Sequence, residues 1–431
     1  MIVEFEAGGC LSRVRIYYGW RIVGLAALAM VGTLPGRTQG LGLITEPLLA
    51  DLSLDRVGYA GLNFWATIIG AAGAIGVGRL IDRFGARIVL TIIAAMLGAI
   101  VCAMSQVTTV VALAVALLLT RAVGQSALSV VSIAMVGHWF VRRINAAMAA
   151  YSLALSVGFM IAFPMIGALV QQRGWRFAWL AIGIALFLVL APVSWLVARR
   201  QRHDDSGDER DVETLDAREG AAALSGHAWT EAISTPAFWV FAIGTALYGL
   251  VASGIGLFNE SILAERGFGP AVYYQTLVVT AMTALAGNFL GGWLATRVPL
   301  TRLMAVSLVV LAGGLVVLPH VSSIGAVTAW ATAMGLGGGL VMVLFFSVWP
   351  AAFGRRHLGQ IQGAAQSLTV LASALGPLLL AWCVDVTGSY ATMFRILAGV
   401  IAVTAGTALL VDLPRPALAP PSNMTTPQRA S

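Results

Sequence analysis

The sequence predicts an all-α membrane protein with twelve transmembrane helices in two six-helix bundles related by an internal repeat. Three observations carry that prediction. The 431 residues are 59% hydrophobic and only 10% charged, with mean hydropathy +0.88, where soluble proteins are about 25% charged. The apolar runs follow one another closely, and each is near the roughly 20 residues a helix needs to cross a bilayer. Finally, the two halves of the chain match each other at a near-constant offset.

The runs fall at 18–45, 57–79, 87–106, 109–137, 145–170, 176–198, 236–263, 271–295, 303–319, 322–352, 359–384 and 390–411. The fourth and tenth are long and contain glycine, so tilt or a local break is expected there. Thr235 and Pro236 suit the start of the seventh helix, as cap and first-turn residue.

Arginine sets the orientation. All 26 basic residues are Arg. With the N-terminus in the cytoplasm, 19 of them fall in cytoplasmic segments and five (Arg56, Arg173, Arg176, Arg266 and Arg395) in outer ones, leaving Arg37 and Arg121 inside helices. Arginine gathers on the cytoplasmic side of membrane proteins. The expectation is a multi-pass protein of the inner (cytoplasmic) membrane with both termini in the cytoplasm. The same bias accounts for the pI near 9.8 without a nucleic-acid partner. Cys10, Cys102 and Cys383 form no metal spacing and no disulfide framework. No cofactor and no metal are expected. Met1–Ser12 carries two Glu and no small-residue cleavage site, so a cleaved leader is not expected.

The domain reading follows. Residues 1–198 form an N-terminal bundle and 236–412 a C-terminal bundle. Residues 199–235, charged and nearly free of large apolar side chains, are a cytoplasmic linker. The Pro/Ser/Thr-rich tail, 413–431, is expected to be disordered. The repeat is explicit. An offset of 214 lays GLGLITEPLLA (40–50) over GIGLFNESILA (254–264), matching Gly42 with Gly256 and Glu46 with Glu260. It also lays Gly174 over Gly388, and an offset of 213 lays Pro164 over Pro377. Two halves in the same orientation imply an axis along the membrane normal, with a substrate site between them at mid-depth.

Between the second and third helices stands Gly78-Arg79-Leu80-Ile81-Asp82-Arg83-Phe84-Gly85-Ala86-Arg87. A loop this short must reverse two helices at the membrane surface, and Gly85 permits an unusual backbone angle there. The run resembles the loop 2–3 signature of the major facilitator superfamily, from which Ile81 and Ala86 depart. Arg121 to Gln125 is similar to that family's helix 4 stretch, and Gly158, Pro164 and Gly167 to its helix 5 pattern. The resemblance covers nearly the whole chain outside the linker and tails. It implies the major facilitator fold, a transporter rather than an enzyme, and a gating role for Asp82, Arg83, Gly85 and Arg87. A narrower resemblance, to the monocarboxylate and oxalate:formate branch, rests on Tyr18-Gly19-Trp20, on Arg37 and on Thr235 to Trp239. Proton-coupled members of that branch keep an Asp and an Arg in helix 8. Ala284 and Asn288 stand in those places here, so coupling through that pair is excluded.

Candidate site residues follow from cost. An arginine at mid-helix costs about 2.5–3.5 kcal/mol to insert, and its fork can hold a carboxylate bidentately. Arg37 is thus the expected anchor for an anion, with Thr38 and Gln39 offering neutral hydrogen bonds. Arg121 and Gln125, one helical turn apart, are the second pair. Tyr248, Asn288, Gln362 and Gln366 are the polar candidates of the C-terminal half. Glu46 and Glu260 are candidates to take a coupling proton, against a reading as interfacial caps. The substrate expected is a small organic anion, with a monocarboxylate favoured, moved by alternating access with proton symport as the default and the protein monomeric in the bilayer. A drug or lipophilic-compound exporter is the alternative within transport, and a transporter-like nutrient sensor the alternative outside it.

Overall fold

A computed structural model describes residues 18–74, 76–140, 144–198, 227–354 and 357–414. Most of the expected linker, nearly all of the tail, Met1–Ser12, and the arginine pairs at 142–143 and 355–356 lie outside the described residues. Among the described residues twelve helices are long and apolar enough to cross a membrane: α1 (Gly19–Gly36), α2 (Arg56–Ile81), α3 (Ala86–Met104), α4 (Val110–Gly137), α5 (Ala147–Arg173), α6 (Trp175–Val197), α7 (Pro236–Ala264), α8 (Pro270–Ala295), α9 (Leu300–His320), α10 (Ile324–Phe353), α11 (Gln360–Thr387) and α12 (Ala391–Leu410). The count and order match the sequence expectation. Large apolar side chains such as Leu188, Val403 and Leu410 point outward. Helices apolar on the outside as well as the inside suit lipid as the solvent, because each closes its own backbone hydrogen bonds.

The first helix departs from expectation. The run 18–45 reads as one helix, but regular α-helix stops at Val31 and a 3₁₀ turn follows over Leu34–Gly36. Pro35 is the cause: its ring displaces the carbonyl four residues back, which is that of Val31, and it has no N–H to donate. Arg37 is then extended, with φ −93° and ψ 151°, and short helices resume over Thr38–Gly42 and Thr45–Leu52. Helix α4 is irregular as expected, with π-helical turns over Arg121–Leu128. Helix α10 runs unbroken over Ile324–Phe353 despite its glycines. Thr235 Oγ1 accepts the Phe238 N–H at 3.3 Å and caps α7. Gly85 has φ +82°, the left-handed backbone its loop requires.

The 214-residue repeat is visible in the backbone. Ile44 (φ −119°, ψ 1°) and Phe258 (φ −114°, ψ 16°) break their helices in the same way. Ser53 and Gly267, also equivalent, are both left-handed, at φ 48° and 82°. Asp51 accepts from Trp175 Nε1 at 3.1 Å and Arg176 Nε at 2.9 Å, while its equivalent, Glu265, accepts from Ser389 Oγ and from Tyr390 N at 3.4 Å. Ser389 and Tyr390 are the equivalents of Trp175 and Arg176. In both halves a carboxylate beyond the first helix ties down the start of the last.

Contacts divide the chain into two compact units. Unit 1 holds 1–202, 252–282 and 374–390; unit 2 holds 203–251, 283–373 and 391–431. Segments of α7, α8 and α11 therefore belong to unit 1.

Candidate functional site

The break in α1 and the π-helical segment of α4 meet in unit 1. A side chain on Gly36 would collide with the Thr120 carbonyl and the Gln125 backbone nitrogen, so only glycine allows these two irregular stretches to touch. The contact brings Arg121 beside Arg37. Arg121 is 2% exposed. Its Nη1 donates to Thr38 Oγ1 at 3.1 Å and to Gln125 Oε1, and its Nη2 donates to Asn63 Oδ1 at 3.1 Å. Its Nε is buried with no hydrogen-bond partner. Arg37 is half-buried. Its Nε donates to Thr33 Oγ1 at 2.6 Å, and its Nη2 contacts Met30 Sδ at 2.9 Å and Ser129 Oγ at 3.5 Å. The Phe159 ring lies 5.6 Å from its guanidinium carbon.

Every partner of both guanidiniums is neutral. No carboxylate pairs with either among the described residues, and Arg121 feels the charge of Arg37. A guanidinium has five N–H donors, so hydroxyl and amide oxygens orient both without cancelling either charge. Such a site attracts an anion.

The sequence candidates distribute as follows. Arg37, Thr38, Arg121 and Gln125 come together in unit 1. Thr38 serves Arg121 rather than Arg37, and Ser253 Oγ lies 3.5 Å from the same hydroxyl. Gln39 is exposed and packs on Gly256. Tyr248, Asn288, Gln362 and Gln366 are in unit 2. There Tyr248 lies against Gly338, and Asn288 sits where its helix packs on Gly339. Asp82 and Arg83 lie on the helix Val77–Phe84, Gly85 ends it, and the Arg87 guanidinium stacks 4.1 Å from the Trp195 ring centroid. Glu46 stands in the first turn of Thr45–Leu52 and pairs with Arg56 at 2.8 Å.

Sequence reasoning missed Asn63, Thr33, Ser129 and Ser253. Asn63 carried a usable signal, since it is an amide inside an otherwise apolar run and is 2% exposed. The serines and threonines carried none, because their hydroxyls commonly bond their own helix.

The family profile described as the Major Facilitator Superfamily matches residues 17–273 and, overlapping, 241–430. The chain belongs to that superfamily. A Major Facilitator protein of Mycolicibacterium smegmatis, named an MFS-type efflux pump, is 28% identical over 292 residues, covering 64% of this chain and 62% of its own. Monocarboxylate transporter 12 of Rattus norvegicus is 24% identical over 287 residues, covering 61% of this chain and 58% of its own. An uncharacterized 38 kDa protein of Thermoproteus tenax is 25% identical over 386 residues, covering 88% and 90%. Among solved structures, a bacterial homolog of the human lysosomal transporter Spinster, inward-facing and occupied, superposes with TM-score 0.65 at 14% identity over 91% of this chain and 93% of its own. That likeness shows the Major Facilitator fold.

Proposed function

We propose that this Major Facilitator protein is a secondary active transporter of small organic anions, with monocarboxylates the favoured substrates, and that Arg37 is the anchor for the carboxylate. The observation that supports the reading is the pair of guanidiniums held only by neutral partners. Arg121, ringed by Thr38, Gln125 and Asn63, is the fixed charge. Arg37, half-buried and with Nη1 making no hydrogen bond among the described residues, is the charge that meets substrate. The broken backbone at Thr33–Arg37 supports it too, since irregular backbone at membrane depth belongs where it lines a cavity. Transport proceeds by alternating access of the repeat-related halves, 1–198 and 236–412. Asp82, Arg83 and Arg87 act at the cytoplasmic side, and Tyr248, Asn288, Gln362 and Gln366 are the substrate candidates of the second half. An ion gradient drives accumulation, one charge through 100 mV supplying about 2.3 kcal/mol.

The test is counterflow of a labelled carboxylate panel in proteoliposomes, wild type beside Arg37→Ala. Saturable exchange that collapses in the variant is the expected result. Absence of exchange for every carboxylate in wild type would end the anion reading. The likeness to an efflux pump favours a second reading, export of lipophilic compounds, with Phe159 and Phe163, stacked at 5.5 Å, as the apolar contact. Ethidium efflux from expressing cells would support it.

A further inference from the structure

Glu46 and Glu260 are equivalents under the repeat, and unit 1 holds both. Four residues before each stand Gly42 and Gly256, which meet each other: a side chain on Gly42 would collide with the Gly256 carbonyl. Residues that touch their own equivalents lie where the relating axis passes, as in a two-fold interface. Glu46 follows the Ile44 break and Glu260 follows the Phe258 break. They therefore flank that axis, and Glu260 feels the charge of Glu46. Two carboxylates sharing a site cannot both ionise freely.

Their compensation is incomplete. Arg56 binds Glu46 Oε2 at 2.8 Å and leaves Oε1 buried without a hydrogen bond. Glu260 makes no ion pair among the described residues, and its Oε2 is buried without a hydrogen bond. Tyr273 is 1% exposed with its hydroxyl unpartnered. That hydroxyl lies 3.3 Å from where a Cβ on Gly42 would be, and Tyr273 feels the charge of Glu260. Tyr274 also faces Glu260, and Tyr390 faces Glu46 and Arg56. Two carboxylates and one guanidinium leave one negative charge over, beside two buried oxygens and a phenol without partners.

We propose that Glu46 and Glu260 hold a single proton between them, with Tyr273 lining the site, and that this proton keeps their end of unit 1 closed. The proton comes from water at that end. It forms an O–H bond on one carboxyl group, which donates to the free oxygen of the other. Its return to water restores two like charges across the axis and drives the Gly42–Gly256 contact apart. A proton suits the site better than a metal cation, because the Arg56 guanidinium already occupies Glu46. The link to transport rests on the anion reading above and supplies it with a coupling site, in place of the helix 8 pair this sequence lacks.

The proton is read without substrate, by infrared difference spectroscopy of the full chain in lipid vesicles across a pH titration. The expected result is one carboxyl C=O band present at neutral pH, absent from both Glu260→Gln and Glu46→Gln. It should be shifted in Tyr273→Phe and kept in Asp51→Asn, which alters a carboxylate outside the pair and controls for folding. No such band, or a band that survives either glutamate substitution, overturns the proposal. Displacement of the band when sodium replaces choline also overturns it and makes this a metal-cation site. In a second arm, accumulation of labelled lactate driven by a pH gradient should fall to simple equilibration in Glu260→Gln. Continued accumulation there overturns the link to transport. If wild-type vesicles carry no carboxylate at all, the anion reading fails while the infrared arm still decides the proton site.

Discussion

Helices α1 and α7 occupy the same place in the two halves of the sequence, and they differ at one point. The short helices that continue α1, Thr38–Gly42 and Thr45–Leu52, are parted at Ile44, and α7 breaks at the equivalent Phe258 with nearly the same backbone angles. Only the first of the two has a second break, over Thr33–Arg37, and only there does a positive charge appear. The equivalent stretch of α7, around Gly249 and Val251, is continuous helix. Helices α4 and α10 repeat the contrast. Helix α4 carries Arg121 in π-helical turns, whereas α10 carries tightly packed glycines in regular helix. What the halves share is scaffold: turns, caps and the contact on the axis. What only the first half has is the break over Thr33–Arg37, the π-helical turns of α4 and a pair of guanidiniums with neutral partners, which is where a substrate site is expected.

The comparison can be tested from its strongest consequence down. Transferring the second break to α7 with Gly249→Pro should cost about 3 kcal/mol, the penalty of proline inside a helix. It should appear as a lowered melting temperature of the purified protein, and an unchanged one would mean that α7 tolerates what α1 uses. Arg37→Ala should lower carboxylate counterflow roughly ten- to hundredfold, matching about 1.5–3 kcal/mol for a charge-assisted hydrogen bond. Val251→Ala, at the equivalent position, should leave counterflow within about twofold. Equal losses at both positions would remove the asymmetry. Asn63→Ala strips one acceptor from a buried guanidinium and should cost about 1–3 kcal/mol of stability, read by thermal unfolding in detergent. The smallest effect belongs to the shared latches. Asp51→Asn should cost about 0.5 kcal/mol or less, because the pair with Arg176 is partly open to solvent. Glu265→Gln should cost a similar amount, and a large difference between the two would show that the latches are not equivalent.

The fold was legible because its signals are long and redundant. Each span repeats its apolar signal some twenty times, and the offset of 214 is anchored by polar matches such as Glu46 with Glu260. Local backbone was legible only where one residue dictates it, as at Thr235, Pro236 and Gly85. The break at Arg37 had its cause written in Pro35, yet an apolar run hides a proline that neighbouring helices accommodate. Arg37 and Arg121 were legible as costs, because a charge inside a span needs a reason. Which oxygens hold them was not legible. Asn63 reaches Arg121 from 58 residues away, and Ser129 reaches Arg37 from 92. No periodicity encodes a separation of that kind. Thr38 shows the limit most plainly, since adjacency in sequence assigned it to Arg37 and the turn between them gives it to Arg121.

The meeting of Gly42 with Gly256 constrains the two halves unequally. Elsewhere the two halves can drift apart, since a side chain that grows in one can be met by a different residue that shrinks in the other. At the axis Gly42 faces the Gly256 carbonyl, whereas a side chain on Gly256 would meet only Gln39, at ordinary contact distance. An enlargement of Gly42 has only the Gly256 backbone to take room from. The two halves are therefore free to specialise, one toward charge and the other toward close packing, everywhere except at Gly42, where the first half must stay small.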